Sequence, residues 1–333
     1  MALWEVAAPR RRRESPRVIR WTNNLALVIV DTVILRLTFP ILAVGLAVMG
    51  EERGWGLFNI VDTPIWVAVV LSMLLLDLAI YLQHVMFHAI PGLWRLHRMH
   101  HADLDFDATT GLRFHPVEIL LSMGIKLTLV AALGPPAIAV LLFEVILNAT
   151  ALFNHANITL PRGVDRVLRL MVVTPDMHRV HHSVDPRETN SNFGFNLPWW
   201  DRLLGTYIAQ PAKGHEGMDI GIEQFRTTRD LWLDRLLIQP VIGPASAHAL
   251  DPPSRRKNKQ SGDRNLRGCR VRRMRPKQPK IHSSDPPHPI SPPPCHLTDQ
   301  TPDLHPGEIA LDRCTAGAGQ SFGHRRRNER PFG

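Results

Sequence analysis

The sequence predicts an all-α integral membrane protein with about four transmembrane helices, two single spans and a helical hairpin, under a cytosolic helical cap rich in histidine. Three observations predict this fold. Apolar stretches of about 17 to 25 residues, the length that crosses a bilayer, recur in the first 250 residues. Proline and glycine punctuate these stretches at few positions. Between them, histidines recur at the helical spacings of three and four residues.

The first two spans are predicted at residues 25–49 and 64–82. Proline is favoured at the first position of a helix, so Pro64 indicates where the second span begins. The first span contains Asp31 and Arg36. We interpret these two charges as a helix contact or as side chains that reach the membrane surface, although charges inside a membrane also indicate functional sites.

The helical hairpin is predicted at residues 117–154, with Gly134, Pro135 and Pro136 at its turn. Each arm is at the short end of the spanning range, and we expect the hairpin to cross the bilayer twice rather than dip into it. Four crossings place both termini and all the clustered histidines on one side. The arginines at positions 10–13 mark that side as cytoplasmic by the positive-inside rule.

Composition divides the chain into a basic N-terminal segment (1–20), a membrane-embedded domain (21–240) and a tail rich in proline and arginine (241–333). Residues 251–333 hold 17 basic and 8 acidic side chains, so the whole formal net charge of +9 belongs to the tail. The domain therefore gives no indication of nucleic-acid binding. We expect the tail to be disordered, either as an extended or out-of-frame reading or as a tether to anionic lipids.

Histidine rather than cysteine carries the metal-binding signal. The three cysteines (Cys269, Cys295 and Cys314) all lie in the tail, which excludes thiolate sites from the first 250 residues. Eight histidines form three helically spaced groups, each of which is expected to aim its imidazoles at a common point: His84 and His88; His97, His100 and His101; His178, His181 and His182. Imidazole binds zinc, iron and copper, and eight ligands exceed the needs of one ion. The pattern therefore predicts two metal ions.

Further motifs accompany the histidines in a fixed order. They are Asp77 with Tyr81 before His84, the segments 93–101 and 113–118, His155 with Asn157, Thr174 with Pro175 before His178, and the segments 200–202 and 205–206. With these motifs, residues 64–206 resemble the fatty acid hydroxylase and sterol desaturase superfamily of membrane diiron oxygenases. The set covers about 145 residues and is specific.

This resemblance implies particular roles for individual residues. The eight clustered histidines are implied to bind two irons, and His155 is expected as a ninth ligand. His115, Asp77 and Asp176 are expected to orient those ligands from just outside the metal site. For Asp77, an equally weighted alternative is a buried helix residue that is hydrogen-bonded to Tyr81.

The same resemblance implies an enzyme that uses O2 to hydroxylate or desaturate a fatty acyl chain, a sterol or a related isoprenoid lipid of the bilayer. A C–H bond of this kind offers no group for acid–base chemistry, so its oxidation needs O2 and two external electrons. The sequence has no haem module, flavin motif or cysteine cluster. A separate reductase, ferredoxin or cytochrome is therefore the expected electron donor, and the basic segments are expected to contact anionic lipids.

Two other classes of protein stay open at the level of sequence. A zinc-dependent membrane hydrolase could use histidine ligands, but it usually needs a carboxylate base in a motif such as HExxH, which does not occur here. A non-catalytic metal-binding membrane protein would be expected to have lost some ligands, whereas all eight clustered histidines are present. Both observations favour the oxygenase.

Overall fold

The structure is a computed structural model, and it describes residues 1–243. The predicted tail therefore lies outside the described residues, apart from its first three positions. Within residues 1–243 the fold consists of helices and loops without strands, which confirms the all-α prediction. The α-helices are α1 Ala2–Ala7, α2 Arg17–Thr38, α3 Ala43–Arg53, α4 Leu57–Ile60, α5 Ile65–Ala89, α6 Pro91–His101, α7 Pro116–Leu133, α8 Ala137–Asn154, α9 Arg162–Leu168, α10 Pro175–His181, α11 Pro186–Thr189, α12 Trp199–Leu204, α13 Gly214–Gly217 and α14 Leu233–Ile238.

Four stretches are long and apolar enough to cross a membrane: Arg17–Ile60, Ile65–Ala89, Pro116–Leu133 and Ala137–Asn154. At about 1.5 Å per residue, α5 is about 37 Å long and α7 and α8 are each about 27 Å long, close to the hydrocarbon thickness of a bilayer. Large apolar side chains on these helices are exposed, as expected of surfaces that face lipid. The described part of the chain thus fits a multi-pass membrane protein, as predicted.

The first predicted span is wrong in its bounds. It was expected as one helix over residues 25–49, but α2 ends at Thr38 and α3 begins only at Ala43. Pro40 lies in the break, and proline both removes a backbone N–H and disfavours a helical residue before it. α3 instead packs on the hairpin, where Ala43 and Ala47 meet Val130 and Val140.

The predicted hairpin turn is confirmed between α7 and α8. Gly134 ends α7 with a left-handed backbone at φ +56°, and Pro136 precedes the first residue of α8. The turn also contacts the loop before α4, because a Cβ on Gly56 would lie 2.4 Å from the Cα of Gly134. Only glycine allows these two backbones to approach so closely.

The helices outside the apolar stretches cover one end of the bundle and carry most of the histidines. The basic N-terminal segment packs onto this region. The buried Glu5 accepts hydrogen bonds from the backbone N–H groups of Ala108 (2.8 Å) and Asn157 (3.0 Å). Arg20, also buried, forms ion pairs with Asp103 (2.7 Å) and Asp107. These contacts join the start of α2 to the loop after α6.

Candidate metal centre

Nine buried histidines converge at the end of the bundle where α5, α6, α8 and α10 meet. α5 supplies two of them in its last two turns, α6 supplies three, and α10 with the residue after it supplies three more. His155 follows the last residue of α8. The most accessible of the nine, His84, is only 8% exposed.

The nine imidazoles form two groups, and within each group the candidate ligand atoms lie within 4.8 Å of one another. The five-histidine group is His84, His88, His97, His101 and His181, and the four-histidine group is His100, His155, His178 and His182. Every histidine predicted from the sequence as a ligand is in one of these groups. His155, expected only from the resemblance, is in the second.

The division between the groups corrects one prediction. Each sequence motif was expected to aim at a common point, which holds for His84 and His88 but fails for the other two motifs. His100 and His101 are neighbours in sequence, yet they lie in different groups, and so do His181 and His182. Successive residues on an α-helix point about 100° apart, so a histidine pair in sequence serves two centres rather than one.

Hydrogen bonds to the outer ring nitrogens fix how several of the imidazoles are oriented. Nδ1 of His84 donates to the carbonyl oxygen of Phe193 (2.8 Å), and Nδ1 of His155 donates to that of Ala151 (2.8 Å). His181 and His100 make the same type of bond, to the carbonyls of Ser191 (2.8 Å) and Arg113 (3.2 Å). Since a carbonyl only accepts, Nδ1 carries the hydrogen in each case, and the lone pair of Nε2 faces the group.

The inner nitrogens then face one another at short range. Nε2 of His84 lies 3.1 Å from Nε2 of His97, and Nε2 of His100 lies 3.2 Å from Nε2 of His155. Glu118 holds the hydrogen on Nδ1 of His97 at 2.7 Å, so both pairs bring two lone pairs together. Facing lone pairs repel unless a cation lies between them.

A proton is a poor candidate for that cation at neutral pH. Burial lowers the pKa of His155 to about 4 and that of His181 to about 3. Burial, and then the neighbouring imidazoles, also keep the pKa values of His100, His178 and His182 well below the ordinary range. Both nitrogens of His182 and Nε2 of His181 are buried without a hydrogen-bond partner among the described residues. This donor set fits metal ions, one to each group.

Asp77, which was expected to orient the ligands, forms its hydrogen bond with Trp200 of α12. Its Oδ2 accepts a hydrogen bond from Nε1 of Trp200 at 2.7 Å. The alternative partner, Tyr81, has its hydroxyl 2.9 Å from Oγ1 of Thr206. Asp77 therefore fixes α12 against α5 and reaches the histidines only through the helix that it shares with His84.

His115 and Asp176 likewise form their polar contacts with residues other than the nine histidines. His115 uses Nδ1 to accept the N–H of Val117 (3.2 Å) at the start of α7, and Nε2 to donate to the carbonyl of Leu237 (3.1 Å). Asp176 forms ion pairs with Arg10 (3.3 Å) and Arg179. Arg179 pulls the pKa of that carboxyl below its usual range. Asp176 therefore holds α10 against the N-terminal segment, whereas His115 joins the start of α7 to α14.

Sequence reasoning missed the carboxylate that does contact a ligand, Glu118. It lies in the first turn of α7, is 4% exposed, and binds Nδ1 of His97. Asn190 was also missed: its Oδ1 lies 3.2 Å from Nδ1 of His88. The sequence feature that could have indicated Glu118 is its position three residues after His115, where it is the first acidic residue after the aspartates of the preceding loop.

A cavity of about 820 Å³ opens from the histidines into the apolar part of the bundle. Its walls come mainly from α2, α5, α7 and α8, with residues of α3 and α6, and they include His84, His97 and His100. Both charges of the first span, Asp31 and Arg36, line this cavity. Asp31 is buried and faces the cavity, so it does not reach the membrane surface, whereas its role as a helix contact stays a prediction. The volume is typical of a small-molecule site.

Together, the fold and this site define the class: a helical membrane protein with a buried, two-part polyhistidine centre that opens to an apolar cavity. The family model described as fatty acid hydroxylase matches residues 69–206. Over this segment the chain is similar to the fatty acid hydroxylase family, in agreement with the resemblance that the sequence motifs predicted.

The curated relatives are enzymes named for lipid substrates. The chain is 32% identical over 159 residues to ornithine lipid hydroxylase OlsE of Rhizobium tropici, covering 48% of this chain and 46% of the relative. It is 29% identical over 178 residues to alkylglycerol monooxygenase of Homo sapiens, covering 52% and 38%, respectively. It is 26% identical over 144 residues to cholesterol 25-hydroxylase of Homo sapiens, covering 41% and 50%. The chain thus spans half or less of each of these relatives. No solved structure is significantly similar to it.

Proposed function

We propose that this protein is an O2-dependent, non-haem diiron oxidoreductase that hydroxylates a membrane lipid. The observation that carries the proposal is the direct opening of the two buried histidine groups into an apolar cavity within the membrane-spanning helices. The names of the relatives support hydroxylation over desaturation. In the overall reaction, one C–H bond, O2, two electrons and two protons give one C–OH bond and water.

The nine histidines would hold the two irons, five imidazoles on one side and four on the other. Two bound irons would supply the activation of O2 with two external electrons, which no side chain can provide. The protein contributes orientation: backbone carbonyls and Glu118 hold the hydrogens on the outer nitrogens, so that the inner nitrogens stay available as ligands. Apolar cavity walls exclude water and hold the lipid beside His84, His97 and His100.

The position of the cavity supports a substrate that enters from the bilayer, namely a fatty acyl chain, a sterol or a related isoprenoid lipid. Most residues of the cavity wall belong to helices in the apolar stretches, and His97 and His100 of α6 line its histidine end. A lipid tail can therefore reach the histidines without leaving an apolar environment.

We also propose that the histidine-rich end and both termini face the cytoplasm. The arginines of the N-terminal segment lie at that end, where Arg10 contacts Asp176 and Arg20 contacts Asp103. On this side a separate reductase, ferredoxin or cytochrome would deliver electrons, and the basic segments would contact anionic lipids.

Elemental analysis of the detergent-purified protein, combined with lipid analysis of the expressing cells, tests the proposal. The wild type is expected to hold about two irons per chain and to produce a hydroxylated lipid. His101→Ala removes one ligand from the five-histidine group and His182→Ala one from the other, so both variants should lose iron and product. His215→Ala, a buried histidine outside both groups, is the control. Unchanged metal content in both ligand variants would overturn the proposal, and stoichiometric zinc with ester cleavage would support a hydrolase.

A further inference from the structure

Asp31 is a buried carboxylate that the histidine centre leaves unexplained. It lies on α2, is 8% exposed, and its Oδ1 has no hydrogen-bond partner among residues 1–243. No lysine, arginine or histidine of the described residues comes within 4.0 Å of it. A carboxylate buried in this way is costly unless a partner satisfies it. Its free oxygen therefore indicates a missing hydrogen-bond donor.

The surroundings of Asp31 show where that donor would lie. Asp31 lines the cavity that also contains His84, His97 and His100. Leu27, one helical turn before Asp31 on α2, packs on Met99 of α6, the helix that also carries His97. Asp31 is thus near the histidine end of the cavity.

Of the other charged groups on the cavity wall, Lys126 is already paired and Arg36 can only donate hydrogen bonds. Lys126 lies eight residues after Glu118 on α7, about 12 Å farther along the helix axis. Its Nζ is 2.7 Å from Oε1 of Glu144. Thr32, next to Asp31 and also on the cavity wall, donates its hydroxyl to the carbonyl of Val28 (2.7 Å). A hydrogen-bond donor of the lipid therefore finds free acceptors at the histidine end of the cavity, at Oδ1 of Asp31 and at Oε2 of Glu118, which is likewise buried without a partner among the described residues.

We propose that Asp31 is a specificity-determining residue that binds a hydrogen-bond donor of the lipid substrate, a hydroxyl or an ammonium group. The inference rests on the proposed function. It adds that the oxidised carbon lies close to a polar group of the lipid instead of far along an unsubstituted chain. The donor would form a hydrogen bond to the unpaired carboxylate oxygen, while the apolar remainder of the lipid lies along α7 and α8.

Lipid binding provides a test that does not depend on turnover. Full-length protein in phosphatidylcholine nanodiscs is offered hexadecanol, hexadecylamine and hexadecyl methyl ether, and bound lipid is counted by native mass spectrometry. The ether has the same chain but donates no hydrogen bond. The wild type is expected to bind the alcohol or the amine about tenfold more tightly than the ether, since hydrogen bonds to charged groups are strong. Asp31→Leu should abolish that preference, and Thr32→Val should preserve it.

Asp31→Asn separates the two donor classes. An amide oxygen still accepts from a hydroxyl, so a preference for the alcohol should survive, whereas a preference for the amine should be lost with the charge. Either result supports the proposal. A wild type that does not distinguish the ether, or an Asp31→Leu variant that discriminates as strongly as the wild type, overturns it.

A purely structural role for Asp31 would give a different pattern. Removing an unsatisfied buried carboxylate should leave the Tm of Asp31→Leu equal to or above that of the wild type. A lower Tm with unchanged lipid discrimination contradicts the inference. Iron content and lipid oxidation are measured on the same preparations. Their absence from the wild type would overturn the proposed function, whereas normal iron and oxidation without donor discrimination would overturn the role of Asp31 alone.

Discussion

Oε1 of Glu118 lies 2.7 Å from Nδ1 of His97, and this contact joins a membrane-spanning helix to the helix that carries three of the nine histidines. Both side chains are buried. The carboxylate fixes the ring of His97 with its Nε2 towards His84. Glu118 would not contact the metal, but it determines the orientation of the His97 ring.

Replacing Glu118 should weaken metal binding while leaving all nine histidines in place. In Glu118→Ala the ring of His97 loses its anchor, and metal affinity is expected to fall about 10- to 100-fold, as is typical for partners of ligating histidines. Competition with a chelator measures this. Glu144→Gln, which alters a carboxylate of the same cavity paired with Lys126, is the control. Equal affinities in all three proteins would contradict the role of Glu118.

The contrast between His155 and His115 tests the assignment of ligands. His155→Ala removes a member of the four-histidine group, so metal content should fall. His115→Ala removes the hydrogen bonds to Val117 and Leu237 and should keep its metal, with a free energy of unfolding about 1–3 kcal/mol lower for the two lost hydrogen bonds. Elemental analysis and thermal melting separate the two effects. Metal loss in His115→Ala would place that histidine at the centre after all.

Gly111 supports the four-histidine group through its lack of a side chain. A Cβ there would lie 2.5 Å from the carbonyl oxygen of Ala151 and 3.0 Å from Nδ1 of His155. Gly111→Ala should therefore displace α8, lower stability by about 1–3 kcal/mol and reduce metal content. Gly124→Ala is the matched control, because its Cβ would meet no atom within 4 Å. If both variants melt and bind metal like the wild type, the packing argument is wrong.

The sequence predicted which histidines cluster better than how the cluster divides. The spacing of histidines by three and four residues is a local property of a helix, so the metal-binding motifs were visible without a structure. The division of His100 from His101 was not, because it depends on which distant residue each one meets: His155 for His100 and His88 for His101. Glu118 was missed for the same reason: its partner is 21 positions away in the chain.

The boundaries of the first span failed for a different reason. Apolar composition continues from α2 through α3, so hydropathy alone does not reveal the break. Pro40 is the local feature that indicates the break. For Asp31 the sequence shows the charge but not its surroundings. Only the packing of the helices around the cavity indicates what this side chain faces.

Acidification should destabilise the metal-free protein well above the pH at which ordinary carboxylates titrate. Burial lowers the pKa of His155 from 6.5 to about 4 and that of His181 to about 3. Between these values and about 6.5 the unfolded chain binds protons that the folded chain does not, so the free energy of unfolding falls as the pH falls. The Tm of chelator-treated protein should drop between about pH 7 and pH 5. A Tm that is constant or rises over this range would show that the histidines are not buried and neutral.

The buried cation of α2 should be essential for the histidine-rich end to fold. The guanidinium of Arg20 donates to Asp103 at 2.7 and 2.8 Å and also binds Asp107, and all three side chains are almost inaccessible. Arg20→Leu leaves two buried carboxylates without their main partner, and breaking such a pair typically costs about 3–5 kcal/mol. The free energy of unfolding in mixed micelles measures this cost. Arg17→Leu is the control, because Arg17 is partly exposed and lies 3.8 Å from its acidic partner, so about 1 kcal/mol or less is expected there. Equal losses in both variants would mean that charge at the start of α2, rather than the buried network, stabilises this end of the protein.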